Sequence, residues 1–176
     1  VAIEDERFWK HKGVDWKRTF GAFLQMATTL SSSYGGSTIT QQTIKLLTGE
    51  NDPTIKRKVQ EIMRALRLEQ DLSKEQILEI YLNTINLSQG CYGIKSAARV
   101  YFGKELSELT LAECASLAGI TNWPVYYDPF VYPENNKDRQ MLVLGKMLEL
   151  GAISREEYDA AAAEELVFVR EAEEQE

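Results

Sequence analysis

Helix punctuation recurs along this chain, and strand alternation does not. Ser73 with Gln76, Thr110 with Glu113 and Ser154 with Glu157 each set a hydroxyl three residues ahead of Glu or Gln, the capping-box pattern of a helix start. They predict helices from Ser73 to about Asn83, from Leu111 to Ala118 with a stop at Gly119, and after Ser154, the last fading into the acidic tail Glu171–Glu176. Asn51-Asp52-Pro53 predicts another, with Asp52 as N-cap, Pro53 at the first helical position and an end near Gln70. On it Ile55, Val59, Ile62, Met63 and Leu66 recur at helical spacing, which predicts a buried stripe. A further helix is expected from about Glu134 to Leu150, ended by Gly151, after an irregular connection holding Trp123-Pro124 and Asp128-Pro129. Gly90 and Gly93 mark a turn. The fold class is therefore mainly α, and 176 residues suffice for one domain with a real core.

The stretch Gly35-Gly36-Ser37-Thr38-Ile39-Thr40-Gln41-Gln42-Thr43-Ile44-Lys45 carries the most chemistry. Two glycines free the backbone, Ser37 is placed to cap a helix, and Gly49 is placed to close it. A helix N-terminus fed by such a turn favours an anion. Thr38, Gln42 and Lys45 share one helical face, offering a hydroxyl, an amide and an ammonium. That face suits a phosphorylated or sugar-bearing ligand. A polar-capped helix of no special function is the ordinary alternative for the Gly-Gly-Ser-Thr start alone.

Charge is uneven. Residues 1–75 hold 12 Lys/Arg against 10 Asp/Glu, and the remainder holds 8 against 17, so +2 and −9 sum to the net −7. A nucleic-acid binder built on Lys56-Arg57-Lys58 would more often be basic overall, so no nucleic acid is expected. The two cysteines, Cys91 and Cys114, are not at metal-ligand spacing, and with one histidine a Cys/His metal site is not expected. No run approaches the roughly 18 apolar residues of a membrane span. The chain starts at Val1 without Met or a signal-like segment and reads as a fragment whose anchor lies upstream. Trp16, Phe20, Phe23, Leu24, Ala27 and Leu30 form a helical apolar stripe, read first as core. Its other reading is a face that dips into lipid beside Lys17 and Arg18. Ser31-Ser32-Ser33-Tyr34 reads as a mobile loop.

Three polar clusters remain: Glu4, Asp5, Phe8 and His11; Thr38, Gln42 and Lys45; and Arg57, Lys58 and Glu61. Taken singly, each has an ordinary reading. Arg57 and Lys58 lie four and three residues before Glu61, the spacing of a solvated ion-pair face.

Taken together and in order, they resemble the motifs of the peptidoglycan glycosyltransferases of family 51, as found in bifunctional class A penicillin-binding proteins. Glu4-Asp5-x-x-Phe8-x-x-His11-x-Gly13-x-Asp15 resembles the first motif, the Gly35–Lys45 string the second, and Arg57-Lys58-x-x-Glu61 the third. Lys74-x-x-Ile77-Leu78-Glu79-x-Tyr81-Leu82-Asn83 resembles the fourth, and Leu111 to Gly119 followed by Pro124 the fifth. The likeness runs from Glu4 to about Tyr158. Leu46 departs from it, standing where the family usually has Asn.

The resemblance implies a lysozyme-like helical domain across residues 1–176, with a small membrane-proximal lobe and loop at about 16–34. It implies an inverting transferase that polymerises lipid II into β-1,4-linked glycan strands and releases undecaprenyl diphosphate. Glu4 is then the general base, with Asp5, Phe8 and His11 shaping the site around it. Lys45, Arg57 and Lys58 face the diphosphate, and Ser37, Thr38 and Gln42 position sugar or phosphate. Glu61 is the second catalytic residue expected, either orienting these cations or binding a divalent metal (Mg or Mn) beside the diphosphate. Partners are lipid II, the growing strand, the membrane surface and other cell-wall synthesis proteins. The location implied is the extracytoplasmic face of a bacterial membrane. Two other classes stay open: a lysozyme-like enzyme that cleaves peptidoglycan, and an inactive lipid II or glycan-binding module.

Overall fold

The structure, a computed structural model, describes residues 1–21 and 36–169. Regular structure among these residues is helical, apart from isolated bridges pairing Lys12 with Val14 and Asn86 with Tyr92. The chain divides into two compact units, one from Ile3 to Thr84 and one from Ile85 onward.

The first unit holds α1 (residues 16–21), α2 (Ile39–Thr48), α3 (Ile55–Asp71) and α4 (Lys74–Thr84). Helix α2 packs on both α3 and α4 and buries Ile39, Thr40, Gln41, Thr43 and Ile44. Phe8, Val14, Ala65, Ile77 and Tyr81 complete this core. Each large apolar side chain so buried contributes roughly 1.5–3 kcal/mol. Gly49 closes α2 at φ 67°, as expected, but the N-cap is Thr38 rather than Ser37. Its hydroxyl accepts from Gln41 N while the Gln41 side chain accepts from Thr38 N. Likewise the cap of α3 is Thr54, not Asp52: the Thr54 hydroxyl accepts from Arg57 N.

Helix α3 also turns a different face inward from the one its apolar periodicity predicts. Ile55, Val59 and Met63 are 86%, 53% and 63% exposed, and Ile62 and Leu66 are half-buried. The buried residues are Glu61 and Ala65. Glu61 draws Arg57 and Lys58 to itself, and Ala65 meets the backbone of Gly13, so the Arg57–Glu61–Ala65 face points inward. In α1 the same logic exposes Trp16 and Phe20, against their reading as core. Asp15 caps the helix through Arg18 N, and the Arg18 guanidinium donates to the Glu4 carbonyl, so the polar side faces in. Phe23, Leu24, Ala27 and Leu30, the loop at Ser31–Tyr34 and the acidic tail lie outside the described residues.

The second unit holds α5 (Ile94–Phe102), a short 3-10 turn (Leu106–Glu108), α6 (Leu111–Ile120), α7 (Pro133–Glu149) and α8 (Arg155–Ala163). The capping boxes at Thr110 and Ser154 form as expected. Gly119, expected to stop α6, lies inside it. A side chain there would meet Arg139 of α7 at 3.0 Å, so this glycine serves close helix packing. Buried polar groups stitch the same seam. Ser116 Oγ donates to Asn136 Oδ1 at 2.6 Å, and Gln140 Nε2 donates to the Ala112 carbonyl at 2.9 Å. Asp128 anchors the irregular connection by accepting from Ser88 Oγ, Gln89 Nε2 and Phe130 N. Cys91 and Cys114 are free thiols. None of the described helices is long and apolar enough to cross a membrane.

Candidate active site

The site assembles around the N-terminal half of α2. Asp5 is fully buried and accepts from Ile39 N at 2.9 Å, so the carboxylate sits on the positive end of the helix. The anion at this N-terminus is thus one the protein supplies. Nε2 of His11 lies 2.9 Å from Asp5 Oδ2, and Nδ1 lies 3.5 Å from Lys74 Nζ. Lys74 in turn donates to Glu69, which also accepts from Thr40 Oγ1 at 2.6 Å. Phe8 is buried beneath this chain, with Lys74 Nζ 4.3 Å from its ring centre. Asp5, Phe8 and His11 therefore fix the start of α2 against α3 and α4.

Glu4 stands next to this anchor and is half-buried. Its Oε2 accepts from Gln42 Nε2 at 3.3 Å, and Tyr81 OH donates to Gln42 Oε1 at 3.4 Å. Glu4, as an acceptor only, takes the NH2 end of the Gln42 amide, and the tyrosine, from the fourth motif, meets the other end.

The cations gather around Glu61, which is only 4% exposed. Arg57 Nη1 donates to Oε2 at 2.6 Å, while Lys58 Nζ and Gln41 Nε2 both donate to Oε1, the latter at 3.1 Å. Lys58 also reaches Ser37 Oγ at 2.8 Å. This is not the solvated ion-pair face of an ordinary helix. One buried carboxylate holds two cations, leaving one positive charge in excess. Both Glu61 oxygens accept from N–H donors in this arrangement. Among the described residues no group of three or more His, Cys, Asp or Glu is arranged to hold a metal ion.

Lys45 is exposed on α2, and its side chain has no hydrogen bond or ion pair among the described residues. Thr38, in contrast, does not offer its hydroxyl to a ligand here. It is fully buried, and its Oγ1 donates to the Gly13 carbonyl at 2.6 Å while capping α2. The structure thus brings Glu4 and Gln42 together at one contact, and Ser37, Arg57, Lys58 and Glu61 at another. Neighbouring residues of α2 make the link, since Gln42 reaches Glu4 and Gln41 reaches Glu61.

Gln41, Tyr81, Glu69 and Lys74 were not among the site residues expected from sequence. Tyr81 and Lys74 lay within the fourth motif, which gave them no role. Gln41 had one legible signal: it stands three residues after Thr38, the third position of a capping box.

Comparison with known proteins gives this geometry a family. The family described as Transglycosylase matches residues 1–148. A Cupriavidus necator protein named as a transglycosylase is 47% identical over 168 residues, covering 94% of this chain and 71% of its own length. Penicillin-binding protein 1A of Streptococcus pneumoniae is 46% identical over 164 residues, covering 92% of this chain but 23% of that protein. The crystal structure of penicillin-binding protein 1A from Haemophilus influenzae aligns with a TM-score of 0.54 at 35% identity, over 74% of this chain and 17% of that one. The chain therefore spans most of one relative and about a quarter or less of the penicillin-binding proteins it matches. This chain belongs to the transglycosylase family, as a peptidoglycan glycosyltransferase domain of the kind those penicillin-binding proteins carry.

Proposed function

We propose that this domain polymerises lipid II into β-1,4-linked glycan strands with inversion at the donor sugar and release of undecaprenyl diphosphate. The observation that carries the reading is the pair of contacts made by adjacent residues of α2. Through Gln42 the helix holds one carboxylate, Glu4, and through Gln41 it holds the cation-loaded Glu61. A glycosyl transfer from a diphosphate needs both ends of that arrangement. The acceptor hydroxyl is a poor nucleophile, so a carboxylate must take its proton. The transition state gathers positive charge on the donor sugar, as in glycoside hydrolysis. The departing diphosphate gathers negative charge and needs fixed cations aimed at it.

Glu4 takes the proton in this reading. Arg57 presents a planar fork to phosphate oxygens, and Lys58 and Lys45 supply point charges. Glu61 acts on the reaction through the cations it holds. Ser37 and Gln42 carry groups for positioning sugar or phosphate. Thr38 contributes by fixing the helix that bears them, and Asp5, Phe8 and His11 do so from the other side. A cleaving enzyme of lysozyme type would need the carboxylate but no grip on a diphosphate, so the cations favour transfer over cleavage.

The exposed Trp16 and Phe20, with exposed Lys17 between them, support work at an anionic membrane surface, where the lipid-linked substrate resides. In this reading the protein works at the extracytoplasmic face of a bacterial membrane.

The direct test is incubation with labelled lipid II in detergent. Glycan polymer and undecaprenyl diphosphate are the expected products. Release of soluble muropeptides from cell-wall sacculi, with no polymer, would overturn the reading in favour of cleavage. Lys45→Met refines it. An exposed lysine with no partner among the described residues contributes less than about 0.5 kcal/mol to stability, so the melting temperature should hold. Loss of a transition-state cation should still lower the polymerisation rate by roughly 10²-fold. An unchanged rate would take Lys45 off the diphosphate.

A further inference from the structure

We propose that Gln41 is a positioning residue that aims the cation pair, and that its identity as an amide is set by Glu61 rather than by the helix cap. The inference rests on the reading of Arg57 and Lys58 as diphosphate ligands. Gln41 is 1% exposed and uses both ends of its amide. Oε1 accepts from Thr38 N at 3.1 Å and closes the capping box, while Nε2 donates to Glu61 Oε1 at 3.1 Å. Glu61 holds Lys58, and Lys58 reaches Ser37, the residue before Thr38. The contacts form a closed ring from the N-terminus of α2 through Gln41, Glu61 and Lys58 and back to α2. Within it, Gln41 is the neutral member that ties the anion to the helix.

The cap alone does not demand glutamine. A capping box accepts Glu or Gln at its third position because only an acceptor oxygen is used. The same chain shows the other choice at α6, where Glu113 closes the box through Thr110 N and its carboxylate also accepts from Lys104 at 2.6 Å. There the neighbour is a cation and the capping residue is an acid. At α2 the neighbour is an anion and the capping residue is an amide. One local motif thus takes opposite chemistry according to the charge it faces.

Gln41→Glu separates the two duties. It keeps the acceptor for Thr38 N and sets a carboxylate where Glu61 had a donor, so the cap is retained while the tie to Glu61 is lost. Positioning predicts a rate of lipid II polymerisation roughly tenfold or more below the parent at pH 8.5, since misaimed cations lose transition-state stabilisation. The deficit should shrink toward pH 6. The introduced carboxyl would stand beside Glu61 and share a proton with it as pH falls, which restores an O–H donor. The groups that face it are Glu61, Arg57 and Lys58 from α3 and the Thr38 amide from α2. Melting curves at both pH values report the fold.

Gln41→Met provides a variant without new charge. It should be slow at both pH values, because it supplies neither acceptor nor donor at any pH. A parent-like rate from either folded variant overturns the proposal and leaves the proposed function standing, as does a Gln41→Glu deficit that is the same at both pH values. A parent that makes no polymer would sink the proposed function and this inference with it.

Discussion

Replacing Glu4 with glutamine is expected to slow lipid II polymerisation by roughly 10²–10⁴-fold, the usual weight of a general base. The melting temperature should stay within a few degrees of the parent. The difference follows from how Glu4 is held. It is half-buried, and its contact with Gln42 Nε2 is one that an amide oxygen can accept equally well. The substitution therefore keeps shape and that hydrogen bond and removes the proton acceptor. Asp5, one residue on, gives the contrast. It is fully buried and holds both Ile39 N and His11, so its removal would disturb the start of α2 and confound any kinetic reading. Single-turnover polymerisation beside a melting curve checks the prediction. A Glu4→Gln protein with the parent's rate would show that proton removal falls to another group.

The parts of this fold legible in the sequence are those decided locally. A capping box closes over four residues, so Ser73 with Gln76, Thr110 with Glu113 and Ser154 with Glu157 are found where the letters put them. Helix α5 is illegible in the sequence for the same reason in reverse. Gly93 precedes it with no side-chain cap, so nothing in four letters announces a helix. The buried face of α3 differs from the predicted one because periodicity finds an apolar stripe but not what the opposite side holds. Arg57 and Lys58 paired with Glu61 look solvated until Gln41 and Ser37 close over them from another helix. Glu4, Arg57, Lys58 and Glu61 can each be singled out by letter, yet their arrangement depends on contacts across twenty or more positions. Local rules are silent there.

Gly13 is the strongest case of such silence, and it supports the second large effect. Its letter sits in the first motif without a stated reason. In the structure its φ is +86°, and an added Cβ would lie 2.7 Å from the Ala65 carbonyl oxygen and 2.9 Å from the carbonyl carbon. Those are backbone atoms of α3 one turn after Glu61, so they cannot swing aside as a side chain would. The Gly13 carbonyl also accepts from Thr38 Oγ1 at 2.6 Å, which ties the first motif to the cap of α2. Gly13→Ala should therefore cost about 1–3 kcal/mol in backbone strain and about 1–3 kcal/mol more in crowding. For a chain of this size that amounts to a fall in melting temperature of about 10 °C. Gly49→Ala is the matching control. Gly49 has a similar φ of +67° with nothing within 4 Å of its would-be Cβ, so only the strain applies there. The expected fall is then about half as large or less. Thermal melts of the two variants side by side measure the crowding separately from the strain. Equal falls would mean that α3 yields to the new methyl, and that the approach of Gly13 to Ala65 is not what holds α3 against the first motif.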